Sequence, residues 1–128
     1  ATLWLEDARF GGINGVLGDG DRLLVSTMDT GSLFSVTADG AITEIASGMI
    51  NADGIGLVPG GGYLVSSWPG QVHYVAEGGT VTTLLDTTGD ETPTFQNDLK
   101  IFGDIVIVPN WQPGTVTAWR VVRSDRVD

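Results

Sequence analysis

The sequence contains no cysteine, which removes a disulfide framework, a thiol nucleophile and any thiolate metal site, but not a secreted location. Basic residues are scarce: 6 Lys plus Arg stand against 16 Asp plus Glu, for a formal net charge of -10. That imbalance opposes the phosphate attraction behind ordinary nucleic-acid and anionic-membrane binding, so neither partner is expected. Apolar runs are short, and none approaches the roughly 20 residues of a membrane-spanning helix. The start at Ala1 lacks the basic and apolar pattern of a signal peptide, so the chain is expected to be soluble, in an unspecified compartment. Helix signals are also poor. No long stretch keeps apolar residues at helical spacing without meeting glycine or a β-branched run.

What the sequence does have is glycine, 19 in 128 residues, spaced as punctuation between short segments rich in Val, Ile, Leu, Thr and aromatics. This is all-β patterning, and the segments repeat. Leu23–Met28, Tyr63–Trp68 and Val106–Trp111 share an apolar start and end on a large side chain. A turn containing glycine then leads to Gly31–Val36, Gly70–Val75 and Gly114–Trp119. Ahead of each pair stand Asn14-Gly15, Asp53-Gly54 and Asn97-Asp98. A period of about 40 residues with four strands per unit is the spacing of propeller blades.

The phase of the repeat carries a second expectation. Outer strands follow in the first two units, at Ile42–Ala46 and Val81–Leu85, whereas the third unit runs into the tail from Arg120. Ala1–Leu5 resembles the missing outer strand. The single domain 1-128 is therefore expected to hold units at 13-47, 52-86 and 95-122 with a closing strand at 1-6. Three four-stranded blades cannot close a ring alone, since propellers usually carry four to eight. The predicted architecture is half of a six-bladed β-propeller closed by homodimerisation, each N-terminal strand completing the last blade of the other copy. A monomeric β-sandwich is the alternative.

In a propeller the innermost strands line the axis, which directs attention to Asn14, Asp53 and Asn97. Carboxylate and amide oxygens suit a hard divalent cation, above all Ca2+. The same pairs, Asn-Gly, Asp-Gly and Asn-Asp, also occur as turn residues bonded to nearby backbone, and both readings stand. Other candidates carry less. His73 has no second ligand at motif spacing, and Ser26, Ser66 and Ser67 lack a nucleophile elbow. The acidic loops Asp19-Gly20-Asp21 and Asp86–Glu91 do not follow the EF-hand pattern, and Gly60-Gly61-Gly62 is not a dinucleotide fingerprint. Trp4, Trp68, Trp111 and Trp119 fit either interblade packing or a ring-binding pocket.

The segments Ile13–Val16 through Val25–Thr27, and Ala52–Ile55 through Leu64–Trp68, resemble the second half of six-bladed propellers of the gluconolactonase, senescence-marker-protein and luciferin-regenerating-enzyme family. The resemblance implies a divalent cation at the channel that opens small lactones or esters. It implies a metal-binding role for Asn14, and for Asp53 the roles of metal ligand and catalytic general base. The family's first-blade Glu ligand has no counterpart here, and Asn97 matches no family ligand. A non-catalytic, self-assembling half-propeller or ligand-binding module is the competing expectation.

Overall fold

A computed structural model describes residues 1–92 and 94–124, with the backbone alone at Phe95. These residues form no helix and three antiparallel sheets that follow one another along the chain. The first contains β1 (Ile13–Asp19), β2 (Arg22–Thr27), β3 (Leu33–Thr37) and β4 (Ile42–Ala46). The second contains β5 (Ala52–Leu57), β6 (Tyr63–Ser67), β7 (Gln71–Val75) and β8 (Val81–Asp86). The third contains β9 (Phe95–Gln96), β10 (Lys100–Phe102), β11 (Ile105–Gln112) and β12 (Thr115–Arg120). In it β9 and β10 both pair with β11, as two halves of one interrupted inner strand. The all-β expectation and the four-stranded antiparallel sheets are therefore observed.

Strand registers fix which residues are equivalent. Ile13 pairs with Thr27, Ala52 with Ser67 and Gln96 with Asn110, so Asn14, Asp53 and Asn97 each follow the same rung. The ladders of β1 and β5 shift register just after those rungs, so Asn14-Gly15 and Asp53-Gly54 sit in bulges of inner strands rather than in connecting turns. Bulges bend a strand and redirect its side chains.

Alternation along the strands sends successive residues to opposite sheet faces, and the sheets stack through these faces. Leu24, Leu33 and Ala46 of the first sheet meet Ile55, Tyr63, Val65 and Val75 of the second. Leu64 and Val72, on the second sheet's other face, meet Leu99, Val106 and Val108 of the third. The middle sheet is covered on both sides, which is why all of β6 is buried, while β12 is largely exposed. Full burial of one such aliphatic side chain stabilises by about 1.5–3 kcal/mol.

The N-terminal segment, expected to pair as a strand only with a second copy, has another place in the single chain. Residues 1–12 form no strand in the single chain. Leu5 and Phe10 instead pack on Val25, Phe34 and Val36, the face of the first sheet that no other sheet covers. Neighbouring apolar surface is available there, whereas β12 belongs to the sheet at the other end of the stack.

His73 occupies the position on β7 that Phe34 holds on β3, each paired with the valine of the preceding strand, Val65 or Val25. It is buried, its Nδ1 lies 3.0 Å from Thr83 Oγ1, and its Nε2 has no partner. Burial pushes its pKa below 6.5, against a weaker opposing pull from Asp86. Below that value the unfolded chain takes up a proton that the folded chain resists, so stability falls as pH drops through the window under 6.5. Urea midpoints compared at about pH 7.5 and about pH 5.5 should show the loss as a lower midpoint on the acid side. His73→Phe, which restores the first sheet's residue, should remove His73's share of the slope.

Candidate functional site

The three inner strands converge because two serines tie them together. Ser26 Oγ accepts a hydrogen bond from Gly15 N at 2.9 Å and donates to the carbonyl of Asp53 on the next sheet. Ser66 repeats the device one sheet on: it accepts from Gly54 N at 2.8 Å and donates to the carbonyl of Asn97. Both hydroxyls are buried, so each bond satisfies groups that would otherwise carry a desolvation penalty. The approach is close enough to require glycine. A Cβ on Gly15 would collide with the Asp53 carbonyl, and one on Gly54 with Asp98 Oδ1 and the Leu99 amide.

These ties hold Asn14, Asp53 and Asn97 around one cavity of about 370 Å³. All three residues singled out in the sequence line it. Asn14 and Asn97 are exposed at its surface, and Asp53 is half-buried. Two further residues line the cavity that the sequence reading did not assign, Asp98 and Lys100. Asp98 stands one residue past Asn97, where the other sheets carry Gly15 and Gly54, and the aligned repeat shows this glycine–glycine–acid column. Its Oδ1 accepts from Leu99 N at 2.7 Å, and its Oδ2 lies 3.3 Å from Lys100 Nζ.

Burial raises the pKa of Asp53, Asp98 raises it further, and Lys100 opposes both. The cavity therefore gathers two carboxylates and two amide side chains against one ammonium. Apart from Lys100, whose ammonium lies against Asp98, the polar side chains bring oxygen donors, the type a hard cation takes. No cluster of three or more His, Cys, Asp or Glu occurs among the described residues, so a cation here would depend on amide and backbone oxygens as well.

The remaining sequence candidates lie elsewhere. His73 faces the first sheet. Trp68 and Trp111 pack on each other, with ring centroids 5.3 Å apart and an angle of 34° between planes. Trp4 lies along a groove of the first sheet, and Trp119 lines an apolar gap between the second and third sheets.

No family model matches the chain, and no curated protein matches it in sequence. Solved structures do match in shape. The computationally designed Ika8 protein aligns with a TM-score of 0.59 at 13% identity, covering 85% of this chain and 33% of that one. Virginiamycin B lyase from Staphylococcus aureus aligns with a TM-score of 0.61 at 8% identity, covering 91% of this chain and 43% of that one. The chain thus spans well under half the length of either. The likeness is one of fold, and it defines an all-β, propeller-like protein.

Ser66→Ala should cost about 1–3 kcal/mol, because Gly54 N and the Asn97 carbonyl lose their shared partner; chemical denaturation measures the loss. Asp53→Asn removes a poorly solvated charge facing Asp98, and its melting temperature in chelator should exceed that of the wild type.

Proposed function

We propose that the chain is a half-propeller related to the gluconolactonase type, whose axial cavity binds a divalent cation, Ca2+ by preference, and acts on a small lactone or ester. The observation that carries this reading is the gathering of Asn14, Asp53 and Asn97, chosen from the repeat alone, around one cavity beside a second carboxylate. Asp53, Asn14 and Asn97 supply the expected oxygens, with Asp98 added to them. A bound cation would polarise the carbonyl of the substrate. Asp53 would take the proton of the attacking water and return it to the departing alkoxide as the ring C–O bond breaks. Lys100, which lines the same cavity, would supply an ammonium to steady the negative carbonyl oxygen.

Calorimetric titration with CaCl2 should show binding that Asp53→Ala abolishes, and lactone hydrolysis followed by pH-stat should stop on adding chelator. Absence of calcium binding to the wild-type chain would sink the reading.

A second reading has its own support. The third sheet leaves apolar residues uncovered on its outer face, which favours a module whose business is assembly: a homodimer in which two copies complete a six-bladed ring. A stable dimer with neither calcium response nor hydrolysis would favour this reading over the enzymatic one.

A further inference from the structure

Registers pair equivalent positions on the three sheets, and two free faces emerge from the comparison. On the face directed to the next sheet, Leu33 and Val72 occupy equivalent positions, each opposite the bridging serine, and are 0% and 7% exposed. Their counterpart on the third sheet, Val116, lies opposite Pro109 and is 68% exposed. Trp111, the counterpart of the half-buried Trp68, is 70% exposed. The row that a neighbouring sheet covers at Leu33 and at Val72 is thus presented a third time, at Val116, largely exposed.

The opposite free face belongs to the first sheet, and it is not bare. Val25, Phe34 and Val36 are buried although no sheet lies on them. On the second sheet the equivalents Val65 and Val75 are buried by a whole sheet. Here the cover is Leu5 and Phe10, the latter edge-on to Phe34 with centroids 5.5 Å apart. Trp4 continues the cover along the groove that ends at Val36 and Ala38.

We propose that residues 1–10 are a displaceable cap. They occupy in the single chain the surface that the third sheet of a second copy would cover, and they must leave it for two copies to join. The inference rests on the half-ring reading and deepens it. One face cannot be covered twice, so cap and partner compete. The released segment is the stretch whose pattern fits an outer strand, and it would become available to pair along β12 of the partner, whose outer edge is unpaired among the described residues. The second copy is the favoured occupant because the exposed row on the third sheet repeats, position by position, rows already covered by this same kind of sheet.

The test fixes the cap in place. The chain has no native cysteine, so the pair Trp4→Cys and Ala38→Cys, two residues lining the same groove, gives a single possible intramolecular disulfide, formed by oxidation at high dilution and checked by non-reducing electrophoresis. Light scattering should find the wild type dimeric, the oxidised variant monomeric, and the reduced variant dimeric again. Phe10→Ala, which weakens the cap without touching the 1–6 strand, should lower the dimer dissociation constant several-fold. An oxidised variant that dimerises like the wild type, or a Phe10→Ala variant with unchanged or weaker association, overturns the cap and leaves the ring standing. A wild-type chain that is monomeric at every concentration overturns the ring itself, and the cap with it.

Discussion

A hydroxyl shared between two sheets is the constraint on which the rest of the structure depends. Ser26 and Ser66 each join the amide of a glycine on their own sheet to a carbonyl on the next. Propeller blades wedge together, and they come closest at the axis, where side chains leave least room. The glycine permits the approach and the serine satisfies the polar groups that the approach buries. Hydrophobic stacking of Leu24, Leu33, Leu64 and Val72 holds the sheets together further out, but it is non-directional. The serine bridges add the alignment that stacking lacks.

That alignment also builds the cavity. The carbonyls bound by the two serines belong to Asp53 and Asn97, so the backbone that carries the site is the backbone the bridges fix. Asp53 is consequently held half-buried beside Asp98, an arrangement that disfavours its charge. The scaffold thus holds a polar group in a costly state, as perturbed carboxylates in clefts often are.

Much of the architecture was legible because it repeats. A glycine–polar pair, an apolar strand and a second strand recurring about every 40 residues imply stacked antiparallel sheets, and Asn14, Asp53 and Asn97 followed from the same phase. Asp98 and Lys100 were missed because attention to matching columns passes over the residues that break them. Asp98 differs from Gly15 and Gly54, and the difference carries a carboxylate into the cavity. The contact of the N-terminal segment with the first sheet was not legible for another reason. Its pattern fits a strand, but strand patterns depend on having a sheet edge within reach, and in the single chain the nearer apolar surface is the face of the first sheet. Interblade packing was one of the two readings of the tryptophans, and Trp68, following β6 of the second sheet, does pack on Trp111 of the third.

The third sheet lacks both halves of the axial device: Pro109 stands in the place of the bridging serine and Asp98 in the place of the glycine. The three units are therefore not interchangeable modules. A tandem duplication of the last unit could not be spliced into the middle of the chain without a steric clash at Asp98 and an orphaned carbonyl beside Pro109, so the last unit's place in the chain is dictated by shape.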